Sequence, residues 1–132
     1  RVMRGIILTV GLLLSAGALA EDCGNAATQL AMNECAAGEY QAADKKLNDT
    51  YATVLQRATG ETKARVKTAQ QKWIALRDAD CALVASGAEG GSVQPMIRSQ
   101  CLTEKTVERT AWLESLLNCE EGDLSCPLPP AG

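Results

Sequence analysis

The feature that most constrains this chain is the stretch Gln70-Gln71-Lys72-Trp73-Ile74-Ala75-Leu76-Arg77-Asp78-Ala79-Asp80-Cys81. At about 100° per residue, Val66, Gln70, Trp73, Ile74, Arg77, Cys81 and Val84 fall within one arc of roughly 100°. That is the width of a core-facing helical stripe, yet it carries a glutamine, an arginine and a cysteine. A guanidinium on such a face needs a partner, because an unpaired buried charge is very costly. The fold must therefore bring other helices against this one, with an acid for Arg77 and a mate for Cys81.

The six cysteines narrow the choice further. Cys23, Cys35, Cys81, Cys101, Cys119 and Cys126 are an even set in a chain of 132 residues. They follow an opening that reads as a cleavable secretory signal over residues 1–20. Arg1 and Arg4 are its basic start, Ile6 to Ala20 its apolar run, and Ala18-Leu19-Ala20 its small-residue exit. The run falls short of the roughly 20 residues of a spanning helix, so no membrane insertion of the mature protein is expected. Glu21 and Asp22, placed before Cys23, do not fit a lipoprotein signal. An even cysteine count in a small exported domain argues for disulfides and for a periplasmic or secreted location. With no histidine and no Cys-x-x-Cys pair, a metal site is not expected.

Helix 1 is predicted from near Thr28 to about Arg57, with Tyr40, Asp44, Leu47, Tyr51, Val54 and Ala58 on one stripe. Gly60 breaks the pattern, and Glu61 opens helix 2, which runs to about Ser86. Gly87 to Val93 is a glycine-rich turn. Pro95 suits the first turn of helix 3, whose stripe to about Leu117 holds Leu102, Thr106, Arg109, Leu113 and Leu116. At helical spacing in a chain without phenylalanine, Trp73 and Trp112 are read as core. The expected fold is all-α, an antiparallel bundle or helical hairpin array of three main helices stapled by disulfides. Its domain spans residues 21–117, and residues 118–132 form an irregular tail.

Up-down-up topology places Cys81 and Cys101 equally far from the turn between helices 2 and 3, so they pair. Cys119 and Cys126 close a small loop in the tail. Cys23 and Cys35 lie roughly 18 Å apart on a straight helix and can pair only if residues 23–27 fold back over its first turns. The same hairpin arithmetic puts Asp44, Arg77 and Arg109 at one height. Asp44 is expected to pair with Arg77, Arg109 or both, with Asn48, Gln70 and Thr106 satisfying the remaining polar groups.

This polar centre is read as structural, not catalytic. Arginines favour the ionised carboxylate and spoil it as a general acid or base near neutrality. Without histidine, the usual Ser-His and Cys-His nucleophile arrangements are excluded. No phosphate-cradling loop is present, and neither the Asp78/Asp80 pair nor the Glu120, Glu121 and Asp123 group has a calcium-loop pattern. No cofactor and no enzymatic activity are expected. Removing Arg1 and Arg4 from the 13 basic residues leaves 11 against 16 acidic ones, a formal charge of −5. Such a domain suits a basic protein partner and not nucleic acid.

The motifs also resemble a known family. Met32-Asn33-Glu34-Cys35-Ala36, Ala43-Asp44, Leu47-Asn48 and Tyr51 are followed by Gln70, Trp73, Arg77-Asp78 and Cys81. Gly91-Ser92, Cys101, Thr106 and Arg109 complete the series. Together they resemble the lysozyme-inhibitor LprI-like domain of exported bacterial proteins, over roughly residues 23–117. The resemblance implies an all-helical, disulfide-bonded, periplasmic or secreted module that inhibits lysozyme. The chain lacks the lipoprotein cysteine of the lipid-anchored member that names the family, so surface anchoring does not carry over. For an inhibitor of basic animal-type lysozyme, the loop Glu89 to Gln94 is the candidate contact, with Glu89, Ser92 and Gln94 as binding residues that occlude the cleft. The alternative is a structural or adaptor module of the cell envelope with another protein partner.

Overall fold

A computed structural model of the chain describes residues 23–130. The signal-sequence reading of residues 1–20 lies outside the described residues. Three long helices dominate: α1 (Gln29–Arg57), α2 (Gly60–Ala85) and α3 (Gln94–Ser115). Short 3-10 turns, Ser86–Ala88 and Leu116–Asn118, extend α2 and α3. Among the described residues there is no strand, so the fold is all-α.

Local chemistry sets the boundaries. The Thr28 side chain accepts a hydrogen bond from the Ala31 N–H at 3.0 Å and so caps α1. Ala58 and Thr59 adopt extended backbone between α1 and α2, and Gly60 follows with φ of +54°, a conformation that glycine adopts without Cβ strain. This two-residue reversal sets α1 and α2 antiparallel. Pro95 lies in the first turn of α3, where its missing N–H costs nothing.

The helices run up, down and up, so α1 and α3 are parallel and α2 is antiparallel to both. α3 is the central element: it packs closely along α1 and makes most of the contacts of α2, whereas α1 and α2 touch little. Leu102, Thr106, Thr110 and Leu113 form the buried stripe of α3. The two threonines are small, which favours close approach of α1, and the Thr110 hydroxyl returns a hydrogen bond to the Thr106 carbonyl at 2.9 Å.

This packing corrects three expectations. Ile74 and Val84 are exposed, not core-facing, because α2 is covered chiefly by α3 and only Gln70, Arg77, Cys81 and Ala85 are buried on it. Trp112 is about half exposed, since it stands on the outer edge of α3 beside Arg109. Trp73 is half-buried against the core.

The main apolar cluster lies at the end where α1 stops and the tail returns. It comprises Leu47, Val54, Ala58, Leu113, Cys119 and Leu128. The tail is irregular but held down: Arg57 donates to the carbonyls of Leu117 and Pro129, both at 2.8 Å. Cys119–Cys126 closes the tail loop, Cys81–Cys101 joins α2 to α3, and Cys23–Cys35 folds the N-terminal segment onto α1.

Candidate functional site

The polar centre assembles at mid-height. Arg77 is nearly buried, and its Nη1 lies 3.6 Å from the Asp44 carboxylate of α1. The same nitrogen donates to the Thr106 hydroxyl of α3 at 3.3 Å, while Nε donates to Asp78 at 3.0 Å. Asn48, on the surface, donates to the other Asp44 oxygen at 3.4 Å. The guanidinium also lies 5.0 Å from the Trp73 ring centre and 5.5 Å from that of Tyr40. One cation thus ties all three helices together.

Arg109 is brought to the same region but not to Asp44. Its Nε donates to Gln70 at 3.0 Å, and its guanidinium stacks 4.2 Å from the Trp112 ring centre and 5.4 Å from that of Trp73. Tyr40, Arg77, Trp73, Arg109 and Trp112 therefore alternate as aromatic and cation. Burial lowers the pKa of Arg109 from the ordinary guanidinium value. Burial raises that of the Tyr40 phenol; Arg77 opposes this rise, and Asp44 and Asp78 add to it.

Asp78 and the aromatic partners were missed from sequence. Asp78 follows Arg77 directly and lies about 100° away on the helix, so a stripe-based reading assigns it to solvent. Its proximity in sequence was the available signal. Both carboxylates of the centre, Asp44 and Asp78, lie against the Arg77 guanidinium, an arrangement that holds helices in register. Among the described residues, no group of three or more histidine, cysteine or acidic side chains is placed to hold a metal ion.

The loop residues Glu89, Ser92 and Gln94 lie at the opposite end from the main core cluster. Glu89 and Ser92 are exposed and Gln94 is half-buried. Gly90, with φ of +83°, makes the sharp reversal. Asn33 of α1 donates to the Ser92 carbonyl at 2.8 Å, and the Gln94 side chain donates to the Ala85 carbonyl at 3.4 Å. The loop is thus tied to both neighbouring helices, and Cys81–Cys101 lies beneath it. Leu30, Leu83 and Val84 leave large apolar surfaces exposed at this same end.

A separate cavity of about 170 Å³ opens between α2 and α3 near the tail. Val66, Ala69, Leu113, Leu116 and Pro127 make it apolar, with Arg65, Arg109 and Trp112 on its wall.

Comparison with known proteins supplies the context. The chain is similar to an uncharacterized protein of Rhizobium meliloti (strain 1021), 39% identical over 113 residues, covering 76% of this chain and 81% of the relative. No solved structure matches the chain. The family described as "Lysozyme inhibitor LprI" matches residues 20–113, a span that includes the polar centre and the loop and ends before the tail. The chain therefore belongs to the LprI lysozyme-inhibitor family.

Proposed function

We propose that this domain inhibits an animal-type lysozyme in the periplasm or outside the cell, by seating the 89–94 loop over the enzyme's cleft. The observation that carries the reading is the exposed, tethered loop at one end of a disulfide-stapled bundle in an inhibitor family. Exposed loops on rigid scaffolds are the usual carriers of binding function. A loop whose backbone is already tied by Asn33 at the Ser92 carbonyl and by the Gly91-to-Ala88 and Gln94-to-Gly91 N–H bonds loses little entropy on docking.

Electrostatics favours the same partner. The chain is acidic, with a formal charge of −3, and a basic enzyme is steered toward an acidic surface at rates that fall with salt. Glu89 places one negative charge at the loop tip. Ser92 and Gln94 carry hydrogen-bonding groups suited to the paired carboxylates of a glycosidase cleft. Leu30, Leu83 and Val84 add exposed apolar surface beside the loop, of the kind that forms the water-excluded centre of a protein interface with polar groups at its rim.

The test is a cell-wall lysis assay with animal-type lysozyme and oxidised protein at low and physiological ionic strength. Dose-dependent inhibition that weakens with salt is expected. In Ser92→Ala/Gln94→Ala, loss of two interfacial hydrogen-bonding groups should weaken inhibition about tenfold, since each contributes on the order of 0.5–1.5 kcal/mol. Undiminished inhibition by a folded double variant sinks the loop assignment. No inhibition by the wild type sinks the function.

A further inference from the structure

We propose that the cavity between α2 and α3 is a binding site for small amphipathic carboxylates, with a ring or short alkyl group inside and the carboxylate on Arg109. It lies toward the tail end of the bundle, away from the 89–94 loop, and does not depend on the inhibitory reading.

Size sets the apolar part of the ligand. The cavity measures about 170 Å³, and an apolar cavity of ~150 Å³ is enough to hold benzene. Val66, Leu113, Leu116 and Pro127 furnish carbon-lined walls. A single ring or a chain of about six carbons fits such a volume, and a long acyl chain does not.

Charge sets the polar part. Both ionisable groups on the wall, Arg65 and Arg109, are guanidinium. Arg65 is paired with Glu61 at 3.1 Å on the exposed surface of α2. Arg109 differs: it is half-buried, and among the described residues no carboxylate lies within ion-pair distance of it. Arg77, one helix away, holds two acids within 3.6 Å. The Nε of Arg109 is taken by Gln70 and its face by Trp112, so the plane is fixed while the Nη edge remains for a ligand. A guanidinium edge held in this way suits bidentate carboxylate recognition. Burial lowers its pKa from the ordinary value, as expected for a cation whose counter-ion is not supplied by the protein.

The site is also preformed. Pro127 is held over the cavity by Cys119–Cys126 and by the two Arg57 hydrogen bonds to the tail.

The chain's two tryptophans, Trp73 and Trp112, both touch Arg109, so intrinsic fluorescence reports on the site directly. The oxidised full chain is titrated with phenylacetate, hexanoate and the neutral phenylacetamide. Phenylacetate and hexanoate should give saturable changes with Kd on the order of 0.1–1 mM, ordinary for ligands of about ten non-hydrogen atoms. Phenylacetamide and the variant Arg109→Gln should each weaken binding at least tenfold. Ala69→Leu, which fills the exposed wall from a helical position without removing any hydrogen bond, should abolish it. Equal affinity for phenylacetate and phenylacetamide overturns carboxylate recognition. Unchanged binding in folded Ala69→Leu, or no saturable signal in the wild type, overturns the site.

Discussion

Replacing Arg77 by methionine separates what the guanidinium contributes from what its volume contributes. Methionine is flexible and fills much of the same space, so the cavity term of an alanine substitution is mostly avoided. The hydrogen bond to Asp78 is charge-assisted, but the Asp78 side chain is 47% exposed; solvent screening reduces its contribution to about 1 kcal/mol. Asp44 is more distant, at 3.6 Å with its side chain 37% exposed, and contributes about 0.5 kcal/mol. Thr106 is fully buried, and loss of the Arg77 donor to its hydroxyl costs about 1 kcal/mol. Contacts with the Trp73 and Tyr40 rings contribute about another 1 kcal/mol together. Relief of guanidinium desolvation offsets about half of the total by the same order-of-magnitude reasoning. Arg77→Met should therefore destabilise the domain by about 1–2 kcal/mol, and Arg77→Ala by about 3–4 kcal/mol once the cavity is added. Urea unfolding with the disulfides intact, followed by helical circular dichroism, reads this as a midpoint shift of about 1 M for the methionine variant. In double-mutant cycles, Asp78→Asn should couple to Arg77 more strongly than Asp44→Asn. A methionine variant as stable as the wild type would refute the reasoning, because desolvation would then cancel the partners of the guanidinium in full.

Two further perturbations probe the ends of this network. Leu128→Ala should cost about 2–4 kcal/mol, as for other buried leucines, although Leu128 lies in an irregular tail; a thermal midpoint within error of the wild type would show that the tail is not part of the core. Stability should also decline at alkaline pH through Tyr40. Its folded pKa is raised above the unfolded value of 10.0, so the folded state keeps a proton that the unfolded chain releases. That contribution is fully present below pH ~10 and is lost as pH rises through the raised folded pKa. Tyr40→Phe should flatten this alkaline decline in denaturant midpoints, and an unchanged slope would remove Tyr40 from the account.

Helical periodicity carried most of the architecture because each of its signals is local. Thr28, Gly60 and Pro95 mark helix ends through caps and backbone preferences that need no tertiary context. The antiparallel turn then suffices to oppose Cys81 with Cys101, and Asp44 with Arg77. What periodicity does not encode is how far apart two helices stand. Ile74 and Val84 lie within the apolar arc of α2, yet that arc is only partly covered because α1 stands off from α2. Arg109 was equally legible as a polar residue on an apolar stripe, but which partner it finds depends on its lateral position on α3, which favours Gln70 over Asp44. Leu128 had no periodic neighbours at all. Its burial follows from the short Cys119–Cys126 loop and the Arg57 anchor, both of which act through tertiary contact.

The two ends of the bundle are held by different forces, and this bears on where binding is placed. At the tail end, Leu47, Val54, Leu113 and Leu128 pack into a continuous apolar cluster, and burial of about 1.5–3 kcal/mol per large side chain supplies the order. At the loop end, the buried side chains are mostly small, including Ala36, Cys81 and Ala85 beside Leu102, so apolar burial alone supplies less. Cys23–Cys35 and Cys81–Cys101 are both at that end. A crosslink of this span lowers unfolded-state entropy by roughly 3 kcal/mol without requiring bulky core residues. Covalent order of this kind lets Glu89 to Gln94 stay exposed and polar while their backbone remains fixed. A core-stabilised end would instead have to bury the surface that a partner must reach. The proposed contact therefore sits where stapling substitutes for packing, and the amphipathic-anion site sits where packing leaves a cavity.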